Sequence, residues 1–247
     1  MSNGEQKLTI LSHLQELRRR LTWTAAAVGI SFIICFIFRD WLFYILEYPA
    51  AGLDFYYFQM TEPMSTIMMV SFAGGMILAM PVMVYHGIMF VAPALSSHEK
   101  NMVLLIIPWI FFMFLIGVAF GYFMLAPWTI WFLSSFGANI AEYYPSMSNY
   151  INFMAKLLLM TGLVFEMPVV STFLARIGIL KPEWLSSKRS IAIIVAFVAA
   201  AIITPPDPIT QVILAIPLIL LYELSILLAK LVTRKKRQAS IEAAEES

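Results

Sequence analysis

Apolar residues fall into six blocks along the chain, at about 21–43, 66–90, 102–126, 151–175, 191–203 and 212–231, and polar residues crowd into the intervals between them. Roughly 20 apolar residues cross the hydrocarbon core as a helix, so the first four blocks predict full spans. Trp23 and Trp41 bracket the first and suit the two membrane interfaces. The fifth block holds only 13 residues, Ile191 to Ile203, before Thr204-Pro205-Pro206-Asp207-Pro208 forces a turn. At 1.5 Å per residue it covers about 20 Å, less than a bilayer. The sixth is interrupted by Pro217 and Glu223. The pattern predicts an all-α polytopic membrane protein with six transmembrane helices, the fifth and sixth short. A leader (1–20) precedes the transmembrane domain (21–231), and a polar tail (232–247) follows it. The 191–231 pair reads as a thin crossing hairpin, with a re-entrant hairpin as the alternative.

The leader has its own period. Leu8, Leu11, Leu14 and Leu17 recur every three residues, which predicts an amphipathic helix, and Ser12 with Gln15 resembles a capping box at its start. The run from Leu21 to Phe38 exceeds a secretory signal core and no Ala-x-Ala site follows, so it reads as a retained span.

Charge then gives sidedness. With six spans, four basic residues lie in the leader, Lys100 in the 91–101 loop, four in the 176–190 loop and five at the C-terminal end (Lys230, Arg234, Lys235, Lys236 and Arg237), so 14 of 16 share one side. The opposite loops, 44–65 and 127–150, contain Glu47, Asp54, Glu62 and Glu142 and no basic residue. The positive-inside rule therefore places both termini in the cytoplasm. Composition agrees: 61% apolar and 13% charged is no soluble domain. Gly74-Gly75 and Gly117-x-x-x-Gly121 predict close helix packing, and the prolines within spans predict kinks.

Cys35, the only cysteine, excludes an intrachain disulfide or a cysteine metal cluster. No nucleotide-binding, haem or zinc motif is visible, so the expectation is a non-enzyme with no cofactor, no metal and no nucleic-acid partner. Three acids stand out instead. Glu16 lies one turn before Arg20, which allows an intrahelical pair or a carboxylate open to an incoming guanidinium. Glu99 follows Ala92-Pro93-Ala94-Leu95, where it suits either a helix N-terminus or the same ligand. Glu166 falls mid-span in Leu163-Val164-Phe165-Glu166-Met167-Pro168, where an acid is costly unless it has a polar partner or a wet cavity. Gln211 lies one turn after Asp207 and could extend a polar patch, whereas Glu223 is close enough to the interface to snorkel.

Five motifs in order resemble the TatC family, the multispanning subunits of the twin-arginine protein translocase. They are the leader motif at 13–21, Ala-Pro-Ala-Leu-x-x-His-Glu at 92–99, Phe-Glu-x-Pro at 165–168, Thr-Pro-Pro-Asp at 204–207 and Leu-Ala-Ile-Pro at 214–217. The resemblance implies a concave, glove-like six-helix scaffold that receives the signal peptides of folded cargo proteins and exports them with the proton-motive force. It implies that Glu16 and Glu99 contact the paired arginines, that Phe90, Pro93 and Arg18 shape that surface, and that Glu166 is a polar group in the concavity. Pro49, Tyr122 and Asp207 match signature positions, and single-span TatA/TatB-type partners would dock along the last two helices, near Gln211. Self-association in a receptor complex of the cell inner membrane is also implied. Ser96-Ser97 is less basic than the family pattern. The competing reading is a proton-coupled secondary transporter of a small solute that uses Glu166.

Overall fold

A computed structural model describes residues 3–50, 52–91, 97–135, 144–204 and 207–245, with side chains placed at 13–50, 52–90, 106–135, 144–204, 207–234 and 238. The helices are α1 (Asn3–Ile37), α2 (Arg39–Glu47), α3 (Glu62–Val91), α4 (Ser97–Phe120), α5 (Ala126–Ser135), α6 (Met147–Phe165), α7 (Met167–Arg176), α8 (Pro182–Ser187), α9 (Arg189–Ile203) and α10 (Pro208–Glu245). Among the described residues, extended pairing is limited to an isolated bridge between Tyr56 and Ser146. Among the described residues, five helical stretches are long and apolar enough to cross a membrane, and Arg189–Ile203 is a shorter apolar helix.

Several boundaries differ from the hydropathy blocks. The leader and first span form one helix of 35 residues, so Ser12 lies well inside α1 and does not cap it. The first span turns at Phe38 before Arg39–Glu47 resumes as α2. The third continues past 126 through a π-helical turn, Gly121–Leu125, into α5. The fifth is indeed short: 15 residues, or about 22 Å. Pro217 does not end the last helix, which runs for 38 residues and carries the polar tail with it. Nearby side chains and a long apolar surface tolerate one missing backbone donor in a membrane helix.

The chain divides into two compact units, residues 1–45 with 64–111 and residues 46–63 with 112–247. In the first, α1 and α3 meet backbone to backbone: a Cβ on Gly75 would lie 2.9 Å from the Phe32 backbone. Cys35, Val70, Ala73 and Ala79 are buried there. The second unit packs α10 against α7, α8 and α9. Its core includes Phe114, Ile151, Met154, Leu157, Leu214 and Ile226. The Gly117-x-x-x-Gly121 expectation is met, since a Cβ on Gly121 would lie 2.5 Å from Thr161 Oγ1. That Thr161 hydroxyl donates to the Leu157 carbonyl at 2.8 Å, as buried hydroxyls in lipid must find an acceptor.

Three ties fix the short fifth span to α10. Gln211 Nε2 donates to the Phe197 carbonyl at 3.0 Å, Arg189 pairs with Glu223 at 2.7 Å, and Tyr222 donates to the Leu185 carbonyl just before α9. At the acidic loops, Tyr56 N–H donates to Pro145 O at 3.1 Å and Met147 N–H to Tyr56 O at 3.0 Å. Tyr150 donates its hydroxyl to Leu46 O at 2.5 Å. Burial, and then Glu47 and Glu62, push the Tyr57 phenol above its ordinary pKa.

Candidate functional site

The leader face is assembled from one helix and the end of another. On α1, His13, Glu16 and Arg20 follow at spacings of three and four residues, which puts them on one side of the helix. Arg20 donates to Glu16 Oε1 through Nε at 2.9 Å and Nη2 at 2.5 Å. His13 stacks on Phe90, in the last turn of α3, with ring centroids 4.4 Å apart and planes 17° from parallel. Phe90 thus reaches the Glu16 face through a histidine that motif reading left out of the site. Arg18 is exposed, and its carbonyl accepts from the Thr22 hydroxyl at 2.8 Å. Glu99 lies in the first turn of α4, where the helix dipole favours a carboxylate. Its side chain and Pro93 lie outside the described residues.

Glu166 occupies the break between α6 and α7. Its N–H turns back to Leu163 O at 3.2 Å, and Pro168 follows, which has no N–H to continue the ladder. The side chain is buried, 7% exposed. Neither carboxylate oxygen has a hydrogen-bond donor among the described residues, an arrangement that is costly inside a membrane unless water or a bound polar group supplies one. A cavity of about 600 Å³ lies in the same unit, lined by Phe55, Phe58, Glu62, Asn149, Tyr150 and other residues, and Glu166 is not part of its wall.

The other signature positions have local duties. Asp207 caps α10: Oδ1 accepts from Thr210 N–H at 2.7 Å and Oδ2 from the Thr210 hydroxyl. Thr204 closes α9 by donating to Ala200 O at 2.9 Å. The Thr-Pro-Pro-Asp motif therefore ends one helix and begins the next, with Pro205 and Pro206 outside the described residues. Pro49 sits in the tight turn Tyr48–Ala50, and Tyr122 in the π-helical turn. Such turns often mark functional sites. No cluster of metal-ligating side chains occurs among the described residues.

A chain whose described residues are nearly all helical, with five long apolar helices and one short one among them, is a polytopic membrane protein. The family profile for TatC, described as Sec-independent protein translocase protein, matches residues 12–217. Similar proteins of that description include one from Desulforapulum autotrophicum, 41% identical over 100% of this chain and 93% of the relative. Another, from Aquifex aeolicus, is 40% identical over 94% of this chain and 98% of the relative. The solved crystal structure of a twin-arginine translocase receptor, TatC, superposes with a TM-score of 0.83 at 40% identity, over 90% of this chain and 99% of that one. A second, in DDM, gives 0.82 at 39% identity, over 88% and 99%. This chain belongs to the TatC family. It is a component of the Sec-independent, twin-arginine protein translocase, a transport protein.

Proposed function

We propose that this chain is the receptor for twin-arginine signal peptides and the core scaffold that exports folded proteins across the cell inner membrane. The observation that carries this reading is the likeness, over 90% of the chain, to a solved twin-arginine translocase receptor. Glu16 and Glu99 take the two arginines, because guanidinium–carboxylate contacts are directional and can be bidentate. Phe90 and Pro93 shape the apolar rim beside them, and Arg18 supports it. Both termini face the cytoplasm, as the basic loops require. Single-span TatA/TatB-type subunits dock along α9 and α10, which expose Ile194, Val198 and Ile202 on α9 and Ile216, Leu220 and Leu227 on α10. The receptor self-associates, and the proton-motive force drives transport.

Peptide capture tests the site. With the chain in lipid nanodiscs, an Arg-Arg signal peptide binds and its Lys-Lys version binds much less. Glu16→Ala and Glu99→Ala each weaken capture, while the helical content stays unchanged. Unchanged capture in the double variant would sink the assignment. Single cysteines replacing Lys188 and Asp54 should label from opposite sides of the membrane.

A further inference from the structure

The cavity of about 600 Å³ among the acidic loops is walled entirely by the unit of residues 46–63 and 112–247. It has the size of a small-ligand site. Its wall joins one carboxylate, Glu62, to the rings of Phe55, Phe58, Tyr144 and Tyr150 and the side-chain amide of Asn149. We propose that this cavity seats the phosphoethanolamine headgroup of a membrane phospholipid, its ammonium at Glu62 and the rings and its phosphate at the start of α6.

Each end of the headgroup has a match. Glu62 stands in the first turn of α3, and its Oε2 accepts from the Phe58 N–H at 3.0 Å. That bond holds the carboxylate at the wall, and a carboxylate has acceptor sites for several donors. Aromatic faces add attraction for an ammonium held close to the ring. Phe55 packs on Tyr150 with centroids 4.7 Å apart, and Tyr56 meets Tyr144 edge-on at 5.3 Å, so the rings are held in place. At the other end, Ser146 caps α6 by accepting from the Asn149 N–H at 3.3 Å. The positive end of that helix dipole favours phosphate oxygens. The pairing of Tyr56 with Ser146 ties the two ends into one wall. Loops 44–65 and 127–150 contain no Lys or Arg. A headgroup with only negative charge therefore meets Glu62 without an offsetting loop cation, whereas phosphoethanolamine brings its own.

Depth favours a lipid over a soluble amine. Ile130 and Leu133 of α5 belong to the wall, near the end of the apolar stretch Ile106–Ser135. Trp128 and Trp131 on the same helix are exposed, with ring centroids 6.3 Å apart. Exposed tryptophans at a span end mark the headgroup level of a bilayer.

Native mass spectrometry tests this on the full chain released from micelles holding equal amounts of phosphatidylethanolamine and phosphatidylglycerol. The unmodified chain should retain phosphatidylethanolamine in preference. Glu62→Gln keeps an acceptor for the Phe58 N–H and should lower that preference by about two- to fivefold, as expected for loss of a partly exposed ion pair. Asp54→Asn makes the same charge change at an exposed residue outside the wall and should leave the preference intact. Tyr144→Leu removes one ring and should also lower phosphatidylethanolamine retention, which keeps the test if the Gln variant fails to insert. Equal retention of the two lipids, or equal effects of Asp54→Asn and Glu62→Gln, overturns the site. Soluble phosphoethanolamine at the same concentration should not displace the lipid; displacement would make the occupant a soluble amine and overturn the lipid assignment.

Discussion

The turn of α1 around Glu16 and the helix break at Glu166 both put a glutamate where an apolar sequence makes it conspicuous, and the two are solved in opposite ways. Glu16 is partly exposed, paired within its own helix and bordered by cations. Glu166 is 7% exposed, and its oxygens lack aligned donors among the described residues. The first arrangement contributes little to folding, and it is the one we propose for recognition. The second costs stability and persists at the point where the helix ladder is already broken. A carboxylate in this chain is therefore interpreted by its surroundings, not by its type.

The largest effect should come from the packing behind the Glu166 break. Gly121→Val drives a side chain into Thr161 and should destabilise the fold by about 2–3 kcal/mol, read by unfolding in detergent. Gly29→Ala, with nothing within 4 Å of its Cβ, should leave the fold unchanged or slightly firmer. A comparable loss in both would erase the contrast between a packed seam and an open helix face.

Next comes Glu166 itself. Glu166→Leu replaces an unsatisfied buried acid by an apolar side chain of similar size and should stabilise by about 1–2 kcal/mol. Export should nonetheless fall at a step after recognition, while Glu166→Gln retains most of it. Wild-type export in the Leu variant would reduce Glu166 to a tolerated acid. Gln being as damaging as Leu would point to proton transfer.

A smaller effect tests the ties on the short span. Gln211→Leu removes the bond to Phe197 O and should cost about 1 kcal/mol, with earlier cysteine labelling along α9 as the readout. The smallest stability effect belongs to Glu16→Gln, whose melting transition should coincide with that of the unmodified chain while Arg-Arg peptide capture falls. That pairing of outcomes is the sharpest form of the comparison.

Much of this was legible because it is local. Spans follow from the length of apolar runs, and the Glu16–Arg20 pair from a spacing of four on a helix. The tight seam at Gly121 and the short α9 were equally readable, because small residues and an early Pro-Pro leave few alternatives. The turn at Phe38 and the π-helical turn at Gly121–Leu125 were not, since no residue there forbids a regular helix. Nor does sequence spacing reveal that His13 stacks on Phe90, that Tyr150 reaches Leu46 O, or that Arg189 meets Glu223. The sequence by itself determined which segments are apolar enough to enter the membrane and the family motifs, because each depends on neighbours within a turn or on transfer from water to lipid. Only the tertiary structure decided which side chains meet across helices and whether an acid is paired or buried alone, because those contacts depend on how separate helices pack, and that packing is set by many weak contacts acting together.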